Sequence, residues 1–69
     1  MDNTDFQKRM GERMRSIRNE RKISIRELCL LTGLDESHMA RTETGYVDPK
    51  VGTLRKIAEA LNCDIKDFL

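Results

Sequence analysis

The chain has 69 residues, with 13 Lys and Arg against 12 Asp and Glu, three aromatic residues and one proline. Runs of β-branched residues are missing, so the composition argues against a sheet, and no apolar run is long enough to cross a bilayer. The N-terminus carries no apolar signal segment. We therefore expect one all-α domain, residues 1–69, that is cytoplasmic and does not associate with membranes.

Cysteine and histidine usage gives no sign of catalysis. Cys29 and Cys63 each lie at an apolar-face position and lack metal-ligand spacing, so we expect buried free thiols rather than a disulfide. The single histidine, His38, has no obvious nucleophile or carboxylate constellation, and there is no glycine-rich phosphate loop. The sequence therefore predicts a protein that is not an enzyme and needs no cofactor or metal.

The first predicted helix carries apolar residues that recur at helical spacing, namely Phe6, Met10, Met14 and Ile17. Thr4 and Gln7 offer a capping box at its start, and the pattern extends to about Glu20. We expect residues 1–4 to be frayed.

The second predicted helix begins after Ser24, which can form an S-x-x-E capping box with Glu27. Leu28 and Leu31 lie on one face of this helix. Gly33 can supply a left-handed C-cap, so we expect the helix to end just before it.

The third predicted helix follows Asp35, a good N-cap, carries Met39 toward the core and ends near Gly45. Leu34 is an apolar residue in the turn that joins the second helix to the third. Residues 24–45 therefore predict a helix-turn-helix, a unit that can place its second helix in the DNA major groove.

The fourth predicted helix starts at Pro49, ends near Asn62 and carries one apolar stripe, which comprises Val51, Leu54, Ile57, Ala58 and Leu61. Asp64 and Asp67 then form a capping box for a short fifth helix. The predicted core comprises Leu28, Leu34, Met39, Leu54, Ile57, Ala58, Leu61 and Phe68.

Five motifs occur in a fixed order along the chain, namely M-G-E-R-M-R-S-I-R (10–18), S-x-x-E-L (24–28), T-G-L (32–34), R-x-E-x-G (41–45) and D-P-K-V-G-T-L-R-K-I-A-E-A-L (48–61). With them the chain resembles the Cro and phage-repressor type of helix-turn-helix protein, often called the XRE family, over residues 10–69. The resemblance implies a compact five-helix, repressor-like domain that binds operator DNA as a dimer, with the third helix in the major groove.

The resemblance also implies an ion pair between Arg18, late in the first helix, and Glu43, near the end of the third. A partly buried bidentate pair would fix the two helices against each other, whereas two solvated charges would not. Because each residue lies beside an apolar position, Ile17 or Met39, we favour the pair.

If Met39 and Thr42 face the core, the opposite face of the third helix presents five candidates for base contacts, namely Glu36, Ser37, Ala40, Arg41 and Thr44. Arg41 can donate two hydrogen bonds to guanine, and Glu36 can accept one from cytosine. Glu36 could equally serve only to complement the positive helix N-terminus, and Arg41 only to aid solubility.

Phosphate contacts are expected from Arg26, His38, Tyr46 and Lys50, together with amides at helix N-termini. Charge is unevenly distributed: residues 1–26 hold eight basic and four acidic side chains, whereas residues 27–69 hold five basic and eight acidic ones. Relatives usually have a polar donor at the position of Ile25. They usually have an apolar residue at the position of Thr42, and a hydroxyl or similar helix cap at the position of Lys50. These features predict modest, salt-sensitive binding that depends on dimerisation.

Two function classes follow from the sequence. The first is a transcriptional regulator that binds double-stranded DNA as a homodimer, through contacts around Ile65, Phe68 and Leu69 at the apolar C-terminal end. The second is a protein-interaction module of the same fold, antitoxin-like or bridging, whose acidic third helix meets a basic surface of an unknown protein partner.

Overall fold

Four α-helices and one 3₁₀ helix make up the fold in the computed structural model, which describes the backbone of residues 3–69 and the side chains of residues 5–69. They are α1 (Asn3–Glu20), α2 (Ile25–Thr32), α3 (Glu36–Glu43), α4 (Val51–Ala60) and the 3₁₀ helix (Ile65–Phe68). The capping box predicted at Thr4 involves the Thr4 side chain, which lies outside the described side chains. The fraying predicted for residues 1–4 includes residues 1 and 2, which lie outside the described backbone. None of the helices described is long and apolar enough to span a membrane.

The predicted count of five helices is not matched, because the last of them, Ile65–Phe68, is a 3₁₀ turn and only four α-helices are present among the described residues. The predicted capping box is nevertheless present: the Asp64 amide donates to the Asp67 carboxylate at 3.0 Å, and the Asp64 carboxylate accepts from the Lys66 amide at 3.4 Å. The Asp67 amide also donates to the carbonyl of Asp64, three residues back, at 2.9 Å. A segment of four residues completes only about one turn, and such short segments adopt the tighter 3₁₀ geometry.

The core is formed by all five helices. α1 packs against α3 and the 3₁₀ helix, while α2 packs against α3 and α4. Ten apolar residues are buried, namely Met10, Met14, Leu28, Cys29, Met39, Leu54, Ile57, Ala58, Leu61 and Phe68. Seven of the eight predicted core residues are in this set, and the eighth, Leu34, is partly buried against it.

Three residues of the predicted apolar stripes are largely exposed. Leu31 is 63% exposed and Val51 is 65% exposed. Leu31 lies in the last turn of α2, at the rim of a shallow groove that also includes Lys56 and Glu59 of α4, so α4 lies beside it without covering it. Val51 is the first residue of α4, where its side chain is mostly exposed. Phe6, near the start of the α1 stripe, is likewise half exposed.

Candidate nucleic-acid interface

The helix-turn-helix is formed where α2 turns into α3 at Gly33. At the start of α2, Ser24 Oγ accepts from the Glu27 amide at 3.0 Å, and the Glu27 carboxylate accepts from the Ser24 amide at 3.2 Å. At its end, Gly33 has a φ of 79° and donates its N–H to the Cys29 carbonyl at 2.8 Å. A Cβ at position 33 would meet no atom within 4 Å, so glycine is favoured there by the left-handed backbone and not by lack of space. The predicted caps of α2 are confirmed.

The buried side of α3 determines which of its residues face solvent. Asp35 caps the helix, its carboxylate accepting from the His38 amide at 2.6 Å. Met39, Thr42 and Glu43 are buried. The Thr42 hydroxyl donates to the His38 carbonyl at 2.8 Å, so this buried polar group is satisfied within α3. α3 is therefore held against the core along one side only.

The five residues predicted to contact bases lie on α3 or at its C-cap. Glu36, Ser37, Arg41 and Thr44 are exposed there, and Ala40 is half-buried. The Thr44 hydroxyl donates to the Ala40 carbonyl at 2.9 Å, so its proton is used within the helix and its oxygen can act only as an acceptor. Arg41 has the most hydrogen-bond donors of the exposed side chains on this helix.

The four residues predicted to contact phosphates come from α2, α3 and the loop after α3. Arg26 is exposed in the first turn of α2, Tyr46 and Lys50 are exposed between α3 and α4, and His38 is half-buried on α3 itself. The Tyr46 amide donates to the Arg41 carbonyl at 2.9 Å, which ties the loop to the last turn of α3. Lys50 occupies the N-cap position of α4 and makes no side-chain cap hydrogen bond.

An ion pair joins α1 to α3, as the resemblance implies. Arg18 Nε donates to Glu43 Oε2 at 2.7 Å, and Arg18 Nη2 donates to Glu43 Oε1 at 3.1 Å. Both side chains are nearly inaccessible to solvent, and Arg18 Nη1 also donates to the Ile23 carbonyl at 2.9 Å. Such a planar, two-bond geometry fixes both distance and orientation between two elements.

Two glycines at the α1–α3 contact were not identified from the sequence as functional. A Cβ on Gly11 would lie 2.3 Å from the Glu43 carbonyl oxygen and 2.7 Å from that of Thr42. A Cβ on Gly45, which has a φ of 87°, would lie 2.8 Å from the Cα of Lys8. The sequence does contain a signal for Gly11, because a glycine in the interior of a helix is unfavourable unless another backbone approaches it closely.

The predicted dimer contact needs one correction. Phe68 is only 1% exposed and belongs to the core of its own chain, so its side chain cannot also contact a second copy. Leu69 is 57% exposed, and Ile65 is partly buried against the core. The two cysteines are free thiols, with Cys29 buried and Cys63 at intermediate exposure. Burial raises the pKa of both thiols above the ordinary value.

Comparison with known proteins identifies the family. Residues 13–69 match the model of the Cro/C1-type helix-turn-helix DNA-binding domain. The chain belongs to this family. It is 38% identical over 52 residues to the HTH-type transcriptional repressor RghR of Bacillus subtilis, covering 74% of this chain and 38% of that protein. It is 37% identical over 54 residues to the uncharacterised HTH-type transcriptional regulator y4dL of Sinorhizobium fredii, covering 78% of this chain and 28% of that protein. The chain thus spans well under half the length of either relative.

Solved structures share the fold over nearly the whole of this chain. The restriction-modification controller protein C.AhdI of Aeromonas hydrophila is 29% identical, with a TM-score of 0.87 over 94% of this chain and 97% of that one. An HTH_3 family transcriptional regulator from Vibrio cholerae is 25% identical, with a TM-score of 0.89 over 97% of this chain and 38% of that one. The matched region, residues 13–69, contains the helix-turn-helix at α2 and α3 for which this Cro/C1, or XRE-type, family is named.

Proposed function

We propose that the chain is the DNA-binding domain of a transcriptional regulator, and that a homodimer of it binds a palindromic operator with α3 of each copy in the major groove. The observation that carries this proposal is the one-sided burial of α3. Three of its residues are buried and its opposite face is exposed, while capped α2 and the ion pair to α1 hold the helix in place. A recognition helix needs this combination of a fixed position and an unoccupied face.

The exposed residues divide into two roles. Arg41 is the best base-contact residue, since a guanidinium can donate two hydrogen bonds to guanine O6 and N7; Glu36 and Ser37 are exposed in the first turn of the same helix. Arg26 is exposed on α2, and Tyr46 and Lys50 are exposed in the loop after α3, so these side chains are available to contact phosphates. Thr44 contributes at most as an acceptor.

Two of the similar proteins have names that describe roles in regulation. C.AhdI is a restriction-modification controller protein whose chain matches this one over 97% of its length, and RghR is a transcriptional repressor. A domain of this fold and size can therefore make up nearly the whole of a controller protein.

Dimerisation would use the C-terminal end. A groove between α1 and the 3₁₀ helix is lined by Phe6, Arg9, Met10, Arg13, Phe68 and Leu69. Of its apolar residues Phe6 and Leu69 are exposed, while Met10 and Phe68 belong to the core; Ile65 lines a separate groove beside α4. Two copies related by a twofold axis would present two α3 helices to one face of the duplex, with half-sites about 10 to 10.5 base pairs apart.

Selection from random duplex DNA at low and moderate salt tests the proposal. A palindromic motif is expected from the wild type. Arg41→Ala is expected to weaken binding by about 1 to 3 kcal/mol per half-site and to relax preference at one base pair of each half-site. Lys50→Ala is expected to weaken binding to all sequences alike and to lower the salt slope by about one unit for each phosphate that Lys50 neutralises. Arg55→Ala, which removes an exposed arginine of α4, is the matched control for charge.

The alternative of a protein-interaction module is favoured by one observation. Between Glu27 and Asp48 the only basic side chain is Arg41, so the exposed surface of the helix-turn-helix is acidic. If selection enriches no motif at low salt and Arg41→Ala leaves DNA binding unchanged, the regulator proposal fails. Binding of α3 to a protein partner with a basic surface then becomes the better explanation of the acidic exposed surface.

A further inference from the structure

We propose that Gly11 is a positioning residue for DNA recognition: it lets the backbone of α1 lie against the last turn of α3 and thereby sets where Arg41 lies in the groove. The inference rests on the proposed function in naming Arg41 as the group that is positioned. It goes beyond that function in assigning the control of the base contact to a buried residue of α1 that touches no DNA.

The contact at Gly11 is between two backbones, so side-chain rotation cannot relieve a clash. A Cβ at position 11 would meet the carbonyl oxygens of Glu43 and Thr42 at 2.3 and 2.7 Å. Ordinary contact begins at 3.4 Å, so an alanine there requires α1 and the end of α3 to separate by about 1 Å. Both oxygens belong to the main chain of α3, so the helices themselves have to move.

The part of α3 that would move carries Arg41. Arg41 directly precedes Thr42 and Glu43, and its own carbonyl accepts from the Tyr46 amide at 2.9 Å. Binding groups have to be held within about 0.5 Å of their working geometry, so a shift of about 1 Å exceeds what a two-bond contact to guanine tolerates. Glu36 and Ser37 lie at the other end of α3, about 7 Å away along the axis, and are less affected.

A second contact, the ion pair between Arg18 and Glu43, also holds α3 against α1. The Arg18–Glu43 pair joins the same residue whose carbonyl meets Gly11, so Glu43 is held by its side chain and limited by its backbone. The pair pulls α3 toward α1, and the absence of a side chain at position 11 determines how close the two helices come.

The test compares DNA preference in variants that are folded. Gly11→Ala is expected to lose about tenfold in affinity for the selected site, with the loss of preference concentrated at the base pair that Arg41→Ala relaxes. In the Arg41→Ala background, Gly11→Ala is expected to change preference no further at that base pair. Ile57→Val, a mild core substitution away from α3, serves as the control for lowered stability and is expected to keep the wild-type preference at every position. A Gly11→Ala profile equal to that of the wild type, or weakened evenly at all positions, overturns the inference.

Two further measurements cover the case in which Gly11→Ala does not fold and the case in which DNA binding fails altogether. Arg18→Lys replaces the two-bond clamp by a single point charge and is expected to relax the same base pair; an unchanged profile in Arg18→Lys overturns the inference. Nuclear Overhauser distances between α1 and the last turn of α3 in the free protein report the separation of the two helices without DNA. A wild type that selects no motif would refute the proposed function alone, whereas an α1–α3 separation unchanged by Gly11→Ala would refute the role of Gly11.

Discussion

Replacing Glu43 by glutamine is expected to destabilise the domain by about 3 kcal/mol, because it leaves the Arg18 guanidinium buried without its counter-charge. The structure sets this magnitude. Both side chains are nearly inaccessible, the pair is bidentate at 2.7 and 3.1 Å, and Glu43 supplies two of the three acceptors that Arg18 contacts. Exposed ion pairs contribute only about 0 to 1 kcal/mol, so the burial accounts for the difference.

Urea unfolding followed by far-ultraviolet circular dichroism measures this effect at a fixed protein concentration. With an m-value of about 1 kcal/mol/M, the midpoint is expected to fall by about 3 M. A chain of this length has a total stability of about 3 to 10 kcal/mol, so the midpoint of Glu43→Gln is best measured at about 10 to 20 °C, where stability is greatest. The matched control is Glu20→Gln, since Glu20 forms an exposed pair with Arg21 at 3.8 Å. The control is expected to shift stability by less than about 0.5 kcal/mol.

The double variant Arg18→Met with Glu43→Leu separates loss of the pair from exposure of an unpaired charge. Replacement of a buried pair by apolar residues of similar volume is expected to recover most of the stability lost in Glu43→Gln. A decrease of less than about 1 kcal/mol in the free energy of unfolding of Glu43→Gln would mean that water readily solvates the Arg18 guanidinium once the carboxylate is gone. That result would refute the argument that burial makes this pair important.

The remaining predictions concern the core, the thiols and the dimer. Leu54→Ala is expected to cost about 2 to 5 kcal/mol in a thermal melt, and a variant that melts like the wild type would show that Leu54 is not a core residue. Because burial raises the pKa of Cys29, the thiol stays protonated in the folded chain at a pH where it ionises in the unfolded chain. The contribution of this thiol to the free energy of unfolding is therefore fully present below the ordinary thiol pKa and is lost as the pH rises above it. Cys29→Ala should reduce this alkaline loss in urea titrations, and an unchanged pH profile would contradict it. Leu69→Glu is expected to give monomers in sedimentation equilibrium while Leu30→Glu, at a residue 79% exposed, leaves the dimer intact; the reverse result would place the contact on α2.

Several elements of the fold could be predicted from the sequence because their causes are local. The capping boxes at Ser24 and Asp64 each involve residues three apart, and the turn after α2 depends on the single glycine at position 33. The ion pair between Arg18 and Glu43 could be predicted only through the family resemblance, since the two residues are 25 positions apart. No local rule links them.

Tertiary packing decided what the periodic pattern left open. Leu31 and Val51 fit apolar stripes but lie where no neighbouring helix covers them, because periodicity gives the face of a helix and not the extent of its partner. The sequence pattern places Phe68 both in the core and at a dimer contact, and its burial within the chain decides for the core.

The sequence by itself determined the four α-helices, the caps of α2 and the N-caps at Asp35 and Asp64, and the family, because these depend on residues close together in the chain or on motifs in a fixed order. Only the tertiary structure showed that Gly11 meets the carbonyls of Thr42 and Glu43, since a close approach of two backbones depends on how α1 crosses α3. The position of the exposed face of α3 is set by that crossing, so the geometry available for DNA recognition belongs to the packed domain and not to the helix-turn-helix alone.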